Sequence, residues 1–407
     1  MRRWSVLVSF IAVAALSATS ARGADGRGGV VLSVERGVRD CTEALKSCID
    51  AEGCVFLPAG AYVITNTIAL RSGARIVGVR GRTRIVMNGD GEVFRSSGRL
   101  DGGRLVRASG FEIRNLVMEA GSAIQNRHAV RLDSVENVVL EHVETIGMGG
   151  LHVGTVYKVN AWDKTPDPPG TAGMSGDESL SSNIVVRSCR FDGGSPSRGG
   201  RGVCIGFATD CEVRDCTATN VFHGFQFWGG DSCHERGGLL ANEKRCRRIV
   251  VAGCSAVNVQ GGGIWGSMVE DWSVTNCTVR FCLDVGIDFE GCNRAEAVDC
   301  AVSDCRNGNL STFMYCLGDV AFRRCRSVLT ENHAFTCHYF NSNSTLKAAR
   351  QRVTIEDCSF TSDRPSCIRV QSALAEFRFV NNVCRNVRLD TTAANMGRIV
   401  IEDNTMR

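Results

Sequence analysis

Proline is scarce in this chain, 6 among 407 residues against 45 glycines, which suits tight turns between stacked strands. After the first two dozen residues there is no stretch long and apolar enough to span a bilayer. Lys/Arg clusters of the kind that neutralise phosphates are also missing. The arginines are scattered and the formal charge is only +4, so a nucleic-acid partner is not expected. No Walker A pattern occurs, and Gly261-Gly262-Gly263 stands at a turn before a strand, which leaves no phosphate-cradling loop. Helical periodicity is absent from nearly the whole chain.

What is present begins with Met1-Arg2-Arg3, an apolar stretch from Trp4 to Leu16 and small residues to Gly23. That is the pattern of a secretory signal peptide over residues 1–23, cleaved after Ala21 or Gly23 and taking no part in the fold. Loss of Arg2, Arg3 and Arg22 would leave a formal charge of +1, and the mature protein is expected to be secreted or periplasmic. All 21 cysteines follow this segment, and an odd number in an oxidising compartment leaves at least one outside any intrachain bridge.

Seven of them recur at one position of a repeated pattern: Cys189, Cys216, Cys254, Cys277, Cys300, Cys325 and Cys358 each end a short alternating run such as Trp272-Ser273-Val274-Thr275-Asn276-Cys277. Leu116 and Val143 hold the same slot upstream, and Asn382 and Asn404 hold it downstream. The slots lie 22 to 27 residues apart, except where three insertions near 155–182, 229–247 and 340–352 lengthen the interval. Such a period marks a solenoid whose unit is strands and turns, so residues 24–407 read as one domain. No C-x-x-C pair accompanies the slot cysteines, so they read as small apolar core residues stacked coil on coil rather than as metal ligands. Disulfides are expected elsewhere, from Cys233 and Cys246 and from among Cys41, Cys48 and Cys54; Cys282 and Cys305 are either a stacked pair or a strained bridge.

Residues 24–80 form the entrance and first coils, followed by coils with loop insertions over 81–407. Asp40-Cys41-Thr42-Glu43-Ala44-Leu45-Lys46-Ser47-Cys48-Ile49 reads as a short amphipathic helix, followed by Val55-Phe56-Leu57-Pro58-Ala59-Gly60-Ala61-Tyr62-Val63-Ile64 and a strand ending at Gly78. This succession resembles the entrance of pectate-lyase-like right-handed parallel β-helix proteins, where a helix caps the open end of the solenoid. The resemblance implies an all-β, single-stranded right-handed parallel β-helix. It does not fix a reaction, since that superfamily holds lyases, hydrolases, epimerases, phage spikes and non-catalytic surface proteins.

A second strand follows each slot by ten to fifteen residues, as in Gly286-Ile287-Asp288-Phe289-Glu290. Alternation sends Ile287 and Phe289 inward, and Asp288 and Glu290 outward with backbones about 6.7 Å apart. Two carboxyls so placed span the separations used by glycosidases, and close like charges help to divide an acid from a base or nucleophile. The same residues would also suit an ordinary solvated strand face. By this register His152, Gln226, Trp228, Trp265, Thr312 and Arg369 also face out, with Thr312 expected one coil above Asp288 and Trp265 one coil below. Outward tryptophans offer plates for sugar stacking unless the insertions fold over them. His338, His152 and His223 are candidate acids or bases, with His338 favoured by position, and Arg369 could bind a carboxylated sugar.

These residues point to a secreted polysaccharide-active enzyme, foremost a glycoside hydrolase with Asp288, Glu290 and His338 as catalytic residues and no cofactor, acting as a monomer on a polysaccharide or oligosaccharide. A polysaccharide lyase using Ca²⁺ or arginine to neutralise a uronate is the first rival, and Asp288 with Glu290 could hold that cation. A non-catalytic carbohydrate-binding or surface solenoid is the second. The sequence departs from the paired-aspartate, G-H-G and R-x-K set that polygalacturonases carry and from the D-P-H-E set of mannuronan epimerases, which counts against both assignments.

Overall fold

The computed structural model describes residues 17–22, 28–33, 40–121, 127–157, 179–230, 246–312, 318–330, 338–341, 351–371, 374–391 and 397–407. Over these the chain winds as a right-handed parallel β-helix with sheets of 15, 14 and 9 strands. A full coil contributes a strand to each sheet in turn; Cys246–Ala252, Ser255–Val259 and Ile264–Ser267 make one such coil. Parallel pairing in register stacks like positions into ladders. One interior ladder of the first sheet runs Ile113, Leu140, Val186, Val213, Val251, Val274, Ala297, Phe322, Ile355 and Phe379. Burial on one face of every strand yields a continuous apolar core, which is why the repeats stabilise one another.

The corner between the first and second sheets is a single left-handed residue immediately before the slot. It is occupied by Asn115, His142, Ser188, Asp215, Gly253, Asn276, Asp299, Arg324, Asp357, Asn381 and Asp403, all with φ between 50° and 63°. Seven of these eleven are Asn or Asp, the side chains best tolerated in that region. The slot residue then answers carbonyls at the bend. Cys277 Sγ donates to Thr275 O (3.2 Å) and Val251 O (3.7 Å), and Cys325 Sγ to Arg323 O and Ala297 O (both 3.4 Å). Asn382 and Asn404 do the same with amide donors, to Ile355 O (3.0 Å) and Phe379 O (2.7 Å). All seven slot cysteines are buried. Cys282 and Cys305 likewise stack as free thiols, while Cys41 and Cys246 are buried free thiols, the latter donating to Ile205 O (3.7 Å), so a Cys246 bridge does not form. Cys233 lies outside the described residues.

The helix Thr42–Glu52 closes the entrance with Leu45 and Ile49 fully buried. The Asp40 carboxylate accepts the Thr42 N–H (2.9 Å) and the Thr65 hydroxyl (2.6 Å) ahead of it, and Gly53 ends it at φ +69° with its N–H on Ile49 O (2.9 Å). Ser17–Arg22, at the end of the expected leader, pairs antiparallel with Gly28–Ser33. Most of the three insertions, residues 158–178, 231–245 and 342–350, lies outside the described residues. They follow the strands Gly149–Gly154, Phe225–Trp228 and His338–Asn341.

Candidate functional site

The outer face of the nine-stranded third sheet carries one uninterrupted stripe. Strand pairing aligns Arg95, Arg131, His152, Cys204, Gln226, Trp265, Asp288 and Ser311, each about 4.8 Å from the next along the solenoid. A parallel stripe two residues on holds Asp133, Gly154, Gly206, Trp228, Ser267 and Glu290. Expected outward positions for His152, Gln226, Trp228, Trp265, Asp288 and Glu290 therefore fall on one face. Thr312 does not. Ser311 is the residue level with Asp288, so Thr312 takes the inward position level with Phe289 and is fully buried. A one-residue slip exchanges the faces of a strand, and the hydroxyl that neighbours Asp288 is that of Ser311.

Below the stripe the interior is packed by aromatics. Gly266 is level with Phe227 and Phe289 but has no side chain, and a Cβ there would lie 2.5 Å from the Trp272 ring. Trp272, arriving from the first sheet, fills that space, 5.6 Å from Phe227 and 4.8 Å edge-to-face from Phe289. This rigid floor supports Trp265 and Asp288 above it.

Asp288 is 1% exposed, and neither carboxyl oxygen has a hydrogen-bond partner among the described residues. Burial, then the charges of Glu290 and Asp284, push its carboxyl well above the ordinary 3.8, which favours its protonated form. Ser311 Oγ beside it is buried and also without a partner among the described residues. Glu290 is half-buried and is the member of the pair that reaches the surface. No set of three metal-ligating side chains converges on a point among the described residues.

Trp265 is half-buried, with one face stacked on His223 (5.1 Å between centroids, 16° between planes). His223 Nδ1 accepts the Gly262 N–H (2.9 Å), and burial with the Arg201 charge nearby holds its pKa down to about 3, so the imidazole is neutral and positions the indole. Trp228 meets Phe207 edge-on at 5.3 Å. Gln226 Oε1 accepts the Cys204 thiol (3.6 Å). His152 lies 5.0 Å from His128, and burial together with Arg131 and Arg201 lowers it to about 4. A hollow of about 370 Å³ opens among His152, Arg201, Cys204, Gln226 and Trp228. Arg201 and Cys204 were not singled out by sequence; counting the alternation of Val203-Cys204-Ile205 against Leu151-His152-Val153 would have found Cys204.

Arg369 stands apart. It is half-buried, level with Tyr339 and Asp390, and lines a separate hollow of about 650 Å³ with Pro365, Asn386 and Arg388. His338 has its backbone level with the buried Ile368, and its side chain lies outside the described residues. A hollow of about 690 Å³ on the outer face of the first sheet is a lattice of opposed charges, with Arg248 on Asp210 (2.6 Å) and Arg294 on Asp271 (2.5 Å). Its charges cancel within the protein.

No protein-family model and no curated protein sequence matches the chain. Its backbone is similar to the tailspike protein gp49 of Pseudomonas phage LKA1, with a TM-score of 0.58 and 10% identity over 89% of this chain and 74% of that one. It is similar to the catalytic domain of a GH87 alpha-1,3-glucanase, with a TM-score of 0.57 and 12% identity over 92% and 68%. A third likeness is the family 28 exopolygalacturonase of Yersinia enterocolitica, with a TM-score of 0.55 and 10% identity over 96% and 83%. At such identities the likeness establishes the fold.

Proposed function

We propose that this chain, whose fold is that of the pectate-lyase-like right-handed parallel β-helix proteins, is an exported glycoside hydrolase that lays a polysaccharide along the outer stripe of its third sheet. The observation that carries this reading is the Asp288–Glu290 pair: one carboxyl buried where its anion is disfavoured, the other reaching the surface, on the face that also carries Trp265 and Gln226. Asp288 holds a proton at rest, kept there by burial and by the neighbouring Glu290 charge. Delivered to the glycosidic oxygen, that proton lets the sugar–oxygen bond break. The carboxylate left on the stripe then faces the developing positive charge and serves as nucleophile or as base towards water. Trp265, held by His223, and Trp228 supply apolar plates for sugar rings, and His152 and Gln226 supply polar contacts farther along.

Carbohydrate-active proteins among the similar folds support the substrate class and leave the bond open. Incubation with a polysaccharide panel, wild type beside Asp288→Asn and Glu290→Gln, tests the reading. Reducing ends should appear with wild type and fall by about two to four orders of magnitude in either variant. An ultraviolet-absorbing unsaturated product would make the protein a lyase. Unchanged behaviour of both variants would make the stripe a binding surface without chemistry.

A further inference from the structure

The hollow among His152, Arg201, Cys204, Gln226 and Trp228 brings several hydrogen-bond donors together on the stripe. Arg201 approaches from the turn before Val203–Gly206, its guanidinium carbon 5.5 Å from the centre of the Phe222 ring. Its Nε is buried without an acceptor, and no acidic side chain pairs with it among the described residues. Gln226 has its carbonyl oxygen occupied by the Cys204 thiol, which leaves the amide N–H groups to donate. His152 is neutral, and its Nδ1 is buried without a partner among the described residues. Arg131, level with His152, is set against Asp133 (Nε to Oδ2, 3.3 Å), so its charge is answered; Glu92 is the other acid whose charge reaches His152. Among the described residues one positive charge thus remains without a counter-charge in a hollow walled on one side by Trp228.

A partly buried, unpaired guanidinium surrounded by spare donors is costly unless an anion completes it, because each unanswered donor forfeits its hydration. We infer that this hollow is an anion subsite, taking a carboxylate or sulfate group of an acidic polysaccharide and so selecting that class of substrate. The inference rests on the reading of the stripe as a glycan track. Cys204 and Gln226 stand three and two strand spacings from Asp288, about 14 and 10 Å. The charged substituent is therefore carried by a sugar other than the one whose bond breaks, and the subsite acts on affinity and register rather than on the chemical step.

Binding, measured by calorimetry independently of cleavage, tests this with wild type, Arg201→Gln and Arg201→Lys against three probes: a homo-oligouronate, its carboxyl-reduced counterpart and a sulfated neutral glucan. Wild type should bind at least one anionic probe more tightly than the carboxyl-reduced one, and which anionic probe wins distinguishes carboxylate from sulfate. Arg201→Gln should weaken that binding by about tenfold or more and leave the carboxyl-reduced probe unaffected, the scale of a lost charge-assisted hydrogen bond. Arg201→Lys should recover part of the preference, which separates lost charge from lost folding. Equal wild-type affinity for the anionic and carboxyl-reduced probes, or a preference that survives Arg201→Gln, overturns the subsite while leaving the hydrolase reading intact. Tight anionic binding with cleavage indifferent to Asp288→Asn overturns the hydrolase reading and leaves the subsite. No binding to any probe overturns both.

Discussion

Asp288 makes a prediction about stability that needs no substrate. Its carboxyl is ordinary in the unfolded chain, near 3.8, and well above that value in the fold because burial and the neighbouring Glu290 and Asp284 charges penalise the anion. Above pH 3.8 the unfolded chain releases this proton while the folded chain keeps it. The folded state then binds more protons, and stability falls as pH rises. The slope from one such group is about 1.4 kcal/mol per pH unit, and it persists until the pH passes the raised folded value, above which the loss is complete and the curve is level. Asp288→Asn keeps the shape and removes the titration. Denaturant midpoints followed by circular dichroism at several pH values between about 4 and 8 should show the variant gaining on wild type at this slope. Because a long solenoid need not unfold in one step, the comparison is made within the transition that contains the middle coils. Two curves that run parallel throughout would mean that Asp288 is ionised and answered inside the fold, and its role as the acid would fall with it.

Two further outcomes bear on the scaffold. Gly266→Ala sets a methyl 2.5 Å from the Trp272 ring, in a layer already closed by Phe227 and Phe289, and should destabilise by about 1–3 kcal/mol in thermal or denaturant unfolding; an unchanged midpoint would show that the layer is loosely packed. Cys216, Cys254, Cys277 and Cys325 have thiols raised by hydrogen bonding to their neighbours in the stack and by burial. Iodoacetamide at neutral pH should therefore leave them unmodified in the native protein and alkylate them after denaturation, as read by peptide mass spectrometry. Native-state labelling of Cys277 would contradict the buried ladder.

The coil was legible in the sequence because the corner is chemically demanding. A left-handed residue followed by a small side chain with a donor leaves few choices, so Asn276-Cys277, Asp299-Cys300 and Asp357-Cys358 repeat visibly, and the same slot accepts Asn382 and Asn404 because an amide answers the same carbonyls. The register of the third sheet was legible where apolar residues alternate cleanly, as at Ile287 and Phe289. It failed at Thr312, where Asn309, Ser311 and Thr312 are all fully buried and the polar–apolar cue disappears. Asn309 shows why a polar side chain is accepted there: its amide donates to Ser327 Oγ (2.9 Å), Val302 O (3.2 Å) and Val328 O (2.9 Å) in the core. Arg201 was hidden for another reason, since it lies in a turn ahead of its strand, where no periodicity places a side chain.

Cysteine and asparagine at the corner also bear on where chemistry can reside. Both serve the bend by donating inward, so the first and second sheets are fixed by repetition from coil to coil. On the first sheet's outer face many arginines meet an Asp or Glu of an adjacent coil, as Arg294 meets Asp271 and Arg324 meets Asp299, so much of the charge there is answered within the protein. The third sheet is built differently. Its outer stripe changes residue type at every coil, from His152 to Cys204, Gln226, Trp265, Asp288 and Ser311, and it gathers buried groups left unanswered by their neighbours: Asp288, Ser311 and His152 Nδ1, with Arg201 Nε beside them. Groups that satisfy one another stabilise a coil whatever binds outside. Groups buried without partners cost stability and persist where a ligand or a reaction uses them, which is the ground on which we propose the third sheet as the seat of the chemistry.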